Sequence, residues 1–538
     1  MTAVSTPEAT PTRAIDRAAG AVAAAIALGL TEIASGIAPS VPRLVPAVAD
    51  RIVDVVPGDI VRRTISAFGT AQKPLLVTGI LIVTLIVGAW VGGRARRQPR
   101  LADAAFAGFG LVGVWAGAGA VGATITGAVV AAAVGAGGGR VALATLLAVS
   151  DGRLGAMWRR FTTTGSWHPD PIAPSVDSPI DPRASRRRFL GAAGVAVLGA
   201  TAATAGGAVL RGRSSVAEAR RELVLPAPVE PAPPLPAGIT GIEGHTPLIT
   251  PNDRFYRIDT AIVLPQVDPA RWSLTVDGLV DTPIELSFDE LLAMPLVEGD
   301  VTLSCVSNEV GGDLVGTARW LGVPLTDLLD RAGVRRGAEQ VVGHSVDGFT
   351  AGFPIDVLAD GRPALVAVAM NGEPLPVRHG FPARLVVSGL YGYVSATKWL
   401  SRIELTTWDG FDGYWIDKGW AKDGPVKTQS RIDVPRRAQR LVAGPVPVAG
   451  VAWAPSRGIE LVEVQVDEGP WIDAELSEPI GAHAWRQWLV RWDATPGRHR
   501  LRVRATDATG ATQDVRTRPV APDGATGWHT VLVEVEPA

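Results

Sequence analysis

The stretch MNGEPLPVRHGFPARLVVSGLYGYVSATKWLSRIEL, residues 370–405, sets three cationic or polar side chains among glycines and apolar runs. The three are His379, Arg384 and Lys398. The glycines between and after them carry no Cβ, so they let the backbone approach a ligand closely. Taken one at a time, His379 and Lys398 are typical of surface or turn residues, and Arg384 is typical of an ion pair with a carboxylate. The stretch is therefore informative through the joint spacing of its residues.

Cys305 is the only cysteine, and it lies in VTLSCVSNEVGG, where an alternating apolar run enters a glycine-containing loop. A single cysteine excludes an intramolecular disulfide, an iron–sulfur cluster and a multi-cysteine zinc site within the chain. A thiolate is a soft ligand suited to a high-valent transition metal, and its position at a strand end fixes its direction. Two other interpretations stay open from the residues alone: a small buried hydrophobe, and a nucleophile with His344 or His379 as its base.

Residues 370–405 resemble the molybdopterin-binding signature of the sulfite oxidase family, which reads approximately NG-x-PLP, then HG-x-P-x-R, then a KW pair before a strand. TPNDRFYRIDT, residues 250–260, is similar to the family's first cofactor-contacting loop. The spacing from there to Cys305, and on to WLGVPL and SVDGFTAGFP, also matches. With a tail that resembles the family's carboxy-terminal β-sandwich, the resemblance covers roughly residues 240–538.

The resemblance implies a molybdenum–molybdopterin cofactor, with Cys305 as the protein ligand of the metal and two-electron oxygen-atom transfer as the reaction. The cofactor carries a phosphate and a heteroaromatic edge, so it needs fixed cations and hydrogen-bond donors. The implied catalytic residues are Cys305 and Arg257, and the implied cofactor-binding residues are Asn252, Tyr256, Arg257, Cys305, His379, Arg384, Thr397 and Lys398. We expect no haem and no iron–sulfur cluster, so electrons would pass to or from an external carrier.

Two departures from the family pattern argue against sulfite as the substrate. Where sulfite oxidases have arginines after the metal-binding cysteine, this chain has residues 306–310, which include the acidic Glu309. A carboxylate there would repel an oxyanion. Phe349 also stands where the family has its active-site tyrosine, although Arg257 keeps one cationic contact. The resemblance thus implies a molybdenum oxidoreductase acting on a small molecule other than sulfite.

Two alternatives remain open at this point. One is a reductase of oxidised sulfur or nitrogen compounds that uses the same metal site. The other is a cofactor-free binding module tethered by its helices, which predicts no bound metal and no dependence on Cys305. A nucleic-acid partner is not expected, because the formal net charge of −2 provides no basic field.

The mean hydropathy of +0.22 is concentrated in the first 210 residues, which are rich in Ala, Gly and Val. About five membrane helices are predicted: residues 14–38, 74–93, two within 101–139 with a break around 119–124, and 189–210. The last follows SRRRFL, residues 185–190, which resembles a twin-arginine export signal. Basic residues at 94–100 and 153–188 place those loops in the cytoplasm and the catalytic half outside a multi-pass cell-membrane protein.

The predicted fold class is an α-helical membrane domain over residues 1–210, an α+β molybdopterin-binding domain over 238–440, and an immunoglobulin-like β-sandwich over 441–538. Residues 211–237 include PAPVEPAPPLPA, which predicts a stiff, extended linker rather than a packed element. In the tail, GIELVEVQVDEGPW and HRLRVRATD alternate apolar and polar residues as half-buried strands do. The resemblance implies that this tail mediates homodimer formation.

Overall fold

The computed structural model describes residues 10–38, 40–57, 60, 63, 64, 68, 71–120, 122–151, 153, 154, 182–212 and 215–538. Contacts divide the chain into two compact units, residues 1–214 with 261–263, and residues 215–260 with 264–538. Most of the second predicted basic loop, residues 155–181, lies outside the described residues.

The described part of the first unit is helical, as predicted. Its helices are α1 (Thr10–Ile37), α2 (Leu44–Val55), α3 (Gln72–Ala95), α4 (Pro99–Gly117), α5 (Ile125–Ser150) and α6 (Pro182–Gly212). Four segments are long and apolar enough to cross a membrane: Arg13–Ile37, Gln72–Ala95, Ile125–Ser150 and Arg186–Gly207. The fifth predicted span corresponds to α4, which is shorter and carries Arg100 and Asp103 near its start. The predicted break lies between α4 and α5, whereas α2 was not predicted.

Small residues set the distances between these helices. A Cβ on Gly20 of α1 would lie 2.0 Å from the backbone oxygen of Gly88 in α3, and one on Gly36 would lie 2.8 Å from that of Gly207 in α6. Neither helix pair could approach so closely with larger residues at these positions. Because Gly20 is early in α1 and Gly88 is late in α3, these two helices are antiparallel. The contact between Gly36 and Gly207 makes α1 and α6 parallel.

One end of the helical unit carries a charged cluster. Arg96, directly after α3, donates from Nε to Asp16 at 2.8 Å and from a terminal nitrogen to Ser150 at 2.9 Å, and it pairs with Asp151. The start of α1, the end of α3 and the end of α5 therefore meet at one end of the bundle. Helices α1, α3, α4, α5 and α6 thus run alternately in opposite directions, since α4 also pairs antiparallel with α5 through Asp103 and Arg140.

The second unit begins with an α+β region built on two sheets. The strands are β1 (Ser273–Gly278), β2 (Ile284–Ser287), β3 (Val297–Ser304), β4 (Val315–Pro324), β5 (Gln340–Ser345), β6 (Thr350–Pro354), β7 (Ala364–Met370), β8 (Glu373–Pro374), β9 (Arg384–Val387) and β10 (Leu400–Thr406). One sheet has the order β2-β1-β10-β5-β6, with β1 and β10 parallel. The other has the order β3-β4-β7-β8, with β9 also paired to β7. This mixed arrangement matches the predicted α+β class.

Short helices precede and join these strands. They are α7 (Ser215–Glu222), α8 (Phe288–Leu292), α9 (Leu325–Ala332) and α10 (Gly392–Ser395). Helix α8 starts with a capping box in which Ser287 and Glu290 bond reciprocally to each other's backbone. The apolar residues of both sheets and of α8 and α9 form the core, which includes fully buried Leu274, Leu291 and Val366.

The tail forms two further sheets that share one apolar core. Their strands are β11 (Gln429–Val434), β12 (Arg440–Val442), β13 (Gly444–Trp453), β14 (Ile459–Val466), β15 (Trp471–Asp473), β16 (Glu475–Leu476), β17 (Arg486–Ala494), β18 (Gly497–Asp507) and β19 (His529–Glu536). The sheet orders are β11-β13-β17-β16 and β12-β19-β18-β14-β15. Val462, Val464, Leu501 and Val503 are buried, as their alternation predicted. Strand β11 joins the first of these sheets from Gln429, before the predicted boundary at 441. The domain boundary and the immunoglobulin-like sandwich stay predictions.

The predicted linker differs from a free spacer, because residues from Ser215 onward belong to the second unit. Val216 of α7 is buried in an apolar cluster with Phe255 and Trp320. Further along, Glu230 forms a bridge with Val297 at the start of β3. Composition indicated an extended backbone, whereas Ser215–Glu222 form helix α7. It also could not indicate that β3 offered Glu230 a partner.

Candidate active site

Cys305 follows β3 directly and begins a loop of ten residues, 305–314, called here the Cys305 loop. Its N–H donates to the carbonyl of Leu314 at 2.9 Å, and its own carbonyl accepts from Asn308 at 3.0 Å. The thiol is free and buried. Burial raises its pKa above the ordinary value, and hydrogen bonds from Ser307 and the charge of Lys398 oppose that rise. The strand thus presents a single sulfur atom in a desolvated position near a cation.

Helix α10 and the loop over residues 250–260 lie beside this sulfur. A Cβ on Gly392 would lie 3.9 Å from the hydroxyl of Tyr256 and 4.0 Å from the backbone oxygen of Ser304. Burial raises the pKa of Tyr256, as does the nearby Cys305. The ring of Tyr256 stacks on Phe255 with a centroid distance of 5.3 Å. The predicted cofactor residue Tyr256 and the predicted metal ligand are therefore brought together.

His379 is held as a neutral ring beneath the same loop. It is 1% exposed, and its Nε2 lies 3.0 Å from the carbonyl oxygen of Asn252. A carbonyl only accepts, so Nε2 carries the proton and donates. Burial, followed by the charge of Arg384, lowers the pKa of His379 to about 3. The side chain of Asn252 donates to Met370 at 3.1 Å and accepts from Asn371 at 2.8 Å.

Arg384 is a buried cation at the start of β9 and is 5% exposed. Its guanidinium donates to the carbonyls of His379 at 3.2 Å and Leu385 at 3.4 Å, and it lies 5.0 Å from the ring centroid of Trp320. It makes no ion pair with a carboxylate in the part of the chain that the structure describes. Burial lowers its pKa to about 10. The carboxylate partner suggested by Arg384 alone is thus not found.

Lys398 is a second cation, and it is bound to a buried carboxylate. Its Nζ donates to Asp259 at 3.0 Å and to the carbonyl of Ile258 at 3.1 Å. Asp259 also pairs with Arg257 at 3.5 Å, and the Arg257 side chain is 47% exposed. A Cβ on Gly380 would lie 3.0 Å from Cβ of Lys398 and 3.2 Å from that of Arg384. Glycine therefore permits the backbone at 380 to pack closely against the Cβ atoms of Lys398 and Arg384.

Thr397 and His344 occupy different surroundings. Thr397 is fully buried, and its hydroxyl donates to the backbone carbonyl of Gly343 at 3.4 Å. His344 bonds through Nε2 to Glu404 at 2.8 Å and packs on Phe411. In the described residues neither His344 nor His379 bonds to Cys305. A thiol nucleophile activated by one of these histidines therefore has no support in the geometry.

Asp259 and Trp320 are site residues that sequence reasoning missed. Asp259 could have been noticed because it lies two residues after Arg257, in the loop already singled out. Trp320 opens the WLGVPL segment that was already singled out, but its contact with Arg384 joins distant parts of the chain and could not be predicted.

The residues present fit a metal cofactor that carries a phosphate. A buried guanidinium without a carboxylate retains an unneutralised positive charge, which favours an anionic ligand. Cys305 supplies one soft sulfur atom nearby. The hydrogen bond from His379 to the carbonyl of Asn252 holds the loop over residues 250–260 in place. The described residues contain no group of three or more His, Cys, Asp or Glu that could hold a metal ion by themselves. A metal here would need further ligands from a cofactor.

Comparison with known proteins shows what the chain is similar to. Residues 261–415 match the family described as the oxidoreductase molybdopterin binding domain. The chain is 39% identical over 157 residues to the uncharacterized oxidoreductase YuiH of Bacillus subtilis, covering 29% of this chain and 76% of that protein. It is 29% identical over 342 residues to human mitochondrial sulfite oxidase, covering 54% of this chain and 62% of the human protein.

Among solved structures, the sulfane dehydrogenase SoxCD from Paracoccus pantotrophus is similar with a TM-score of 0.48 and 23% identity. The similarity covers 55% of this chain and 85% of that chain. The match to YuiH covers more than two thirds of that protein. The chain therefore belongs to the sulfite oxidase family of molybdopterin-binding oxidoreductases.

Proposed function

We propose that the protein is a membrane-anchored molybdenum–molybdopterin oxidoreductase that carries out two-electron oxygen-atom transfer on a small extracytoplasmic substrate other than sulfite. The observation that carries the cofactor assignment is Arg384, a buried cation without a carboxylate partner in the described chain. Such a charge is costly in the cofactor-free protein and becomes favourable when an anion pairs with it. A binding module without a cofactor would have no reason to keep it.

When bound, the cofactor supplies the oxygen-atom and electron transfer at its metal. The protein residues bind and orient it. Cys305 would be the metal ligand, presented by the end of β3, and Arg384 and Lys398 would bind the anionic part of the cofactor. His379 stays neutral and donates to the carbonyl of Asn252, so it fixes the loop without adding charge. Tyr256 and Phe255 cover the site with stacked rings and exclude water from it.

Charge near Cys305 supports a substrate other than sulfite. Residues 306–314 contain Glu309 and Asp313 and no arginine or lysine. Glu309 is exposed, so its repulsion of an oxyanion is partly screened by solvent. Arg257 remains the half-exposed cation of the site, and we assign it to the substrate side. A neutral or weakly charged substrate suits this balance better than a doubly charged anion does.

Helix directions in the first unit support the membrane assignment. The end of α3 and the end of α5 meet at the start of α1, and the basic residues 94–100 follow α3 there. If that end faces the cytoplasm, α6 finishes on the outer side, and the second unit follows it in sequence. We further propose that the sandwich is immunoglobulin-like and forms a homodimer contact, and that an external carrier exchanges electrons with the site.

The test is to purify the full chain in detergent from a host that makes the cofactor, and to measure molybdenum and released pterin beside Cys305→Ala. We expect about one molybdenum per wild-type chain, with dye-linked turnover lost in the variant. Screening candidate substrates with oxidising and reducing dyes separates an oxidase from a reductase of oxidised sulfur or nitrogen compounds. A folded, metal-free chain from that host would contradict the enzyme assignment and favour the tethered binding module.

A further inference from the structure

The Cys305 loop is closed by its own hydrogen bonds. The N–H of Cys305 donates to Leu314, and the side chain of Asn308 accepts from the N–H of Leu314 at 2.9 Å. Near the tip, Gly312 donates to the carbonyl of Glu309 at 2.8 Å. Because both ends and the tip are bonded to each other, a displacement of the tip is transmitted to Cys305 rather than absorbed along the loop.

The tip of this loop packs against the sandwich through His529 at the start of β19. Gly311 has a φ of +78°, and a Cβ on it would lie 2.2 Å from Cδ2 and 2.3 Å from Nε2 of His529. The imidazole therefore lies directly on the backbone of the loop. Its orientation is fixed because Nδ1 accepts from the N–H of Ile432 at 3.0 Å.

Arg431 on β11 makes a second contact from the sandwich. One terminal nitrogen donates to the carbonyl of Gly312 at 2.8 Å, and the other donates to the hydroxyl of Thr246 at 2.9 Å. Its Nε pairs with Asp433 at 2.6 Å, and both side chains are largely buried. The guanidinium is thus held at two points, Thr246 and Asp433, besides its contact with the loop. Such a rigid donor can define where the carbonyl of Gly312 lies.

We propose that the sandwich contributes to the active site. Its residues His529 and Arg431 are positioning residues that set the geometry of the bond between Cys305 and the metal. The two residues act through the Cys305 loop and touch neither the cofactor nor the substrate. This inference rests on the proposed role of Cys305 as metal ligand. It gives the C-terminal domain a function within the chain that does not depend on a dimer.

The experiment uses the full chain, loaded with cofactor and purified in detergent, and reads the metal centre without any substrate. Gly311→Ala places a Cβ inside the ring of His529. Gly361→Ala is the matched control, because Gly361 has a φ of +74° and no atom within 4 Å of the added Cβ. Each protein is poised with dithionite, and the g-values of its Mo(V) electron paramagnetic resonance signal are recorded together with its molybdenum content.

We expect Gly311→Ala to keep molybdenum within about twofold of wild type and to show shifted g-values, while Gly361→Ala keeps the wild-type spectrum. Arg431→Met should shift the spectrum as well, and Arg431→Lys should restore it in part, which also provides a test if Gly311→Ala does not fold. Wild-type spectra in both Gly311→Ala and Arg431→Met would overturn the inference. A wild-type chain without molybdenum would instead overturn the proposed function.

Discussion

Replacement of Arg384 by methionine should stabilise the cofactor-free chain while weakening cofactor binding. The pKa of Arg384 falls from 12.5 to about 10 on folding, a difference of about 2.5 pH units. At 1.36 kcal/mol per unit, the charged side chain costs the folded state roughly 3 kcal/mol at neutral pH. The sign follows from the lowered pKa, since the folded state binds this proton less tightly than the unfolded chain does. The cost starts to fall only as the pH rises above about 10, and it disappears only near 12.5.

Methionine removes this cost but also removes favourable contacts. The bond to His379 and the interaction with Trp320 contribute about 1 kcal/mol each. The net expectation for the cofactor-free chain is therefore a gain of about 1 kcal/mol in the free energy of unfolding. With cofactor, the lost charged hydrogen bonds are worth roughly 1.5–3 kcal/mol, which corresponds to retention weaker by roughly tenfold to hundredfold.

The assay compares urea unfolding of the full chain in detergent, produced in hosts with and without cofactor synthesis, and adds the molybdenum content. Arg319→Met is the matched control, because Arg319 is paired with Asp300 at 2.8 Å and should destabilise the chain when removed. The role given to the buried charge of Arg384 is wrong if Arg384→Met destabilises the cofactor-free chain as much as Arg319→Met does and leaves the molybdenum content unchanged.

Three further predictions follow from buried groups. The pKa of His529 is lowered to about 4, chiefly by burial and further by Arg431, so its share of stability is lost as the pH falls from 6.5 towards 4. We expect His529→Gln to weaken this acid sensitivity by up to roughly 2 kcal/mol between pH 7 and pH 5, measured as urea midpoints at these two pH values. Gly20→Val should lower the melting temperature through overpacking worth about 1–3 kcal/mol, whereas Gly79→Val should not, because no atom lies within 4 Å of its added Cβ. Asp259→Asn should destabilise the chain by about 3–5 kcal/mol and reduce molybdenum content, because it removes the carboxylate that pairs with the buried Lys398.

Each of these has an outcome that contradicts it. An unchanged pH dependence in His529→Gln would mean that this histidine is not the acid-sensitive group. Equal melting temperatures for the Gly20 and Gly79 variants would contradict the close contact of α1 with α3. The control for Asp259 is Asp281→Asn, since Asp281 forms an exposed pair with Arg335. Equal losses in these two variants would contradict the role given to burial.

The sequence predicted the elements whose signals are local. Alternation along residues 459–466 and 497–507 predicted buried strands, and both are found with their apolar residues in the sandwich core. The joint spacing within residues 370–405 pointed to Arg384 and Lys398, and the structure brings them together around Gly380. Patterns of this kind are set by the chain's own geometry, so they are readable without knowing the fold.

Features that depend on distant partners could not be predicted. A purely structural Arg384 was expected to pair with a carboxylate. Only the fold shows that no carboxylate of the described chain pairs with it. His344 finds Glu404 because β5 and β10 are neighbours in a sheet, although the residues are 60 positions apart. The contact of His529 with Gly311 joins the tail to the Cys305 loop across more than 200 residues. Long-range pairing of this kind leaves no mark on local periodicity.

The most direct test of Cys305 as the protein ligand of the metal is X-ray absorption at molybdenum on the cofactor-loaded full chain and on Cys305→Ser. We expect one sulfur ligand fewer in the variant, with released pterin unchanged, because other residues hold the cofactor and only the protein thiolate is lost. The same number of sulfur ligands in both proteins, or a wild-type chain that takes up no molybdenum in a host that makes the cofactor, would contradict it.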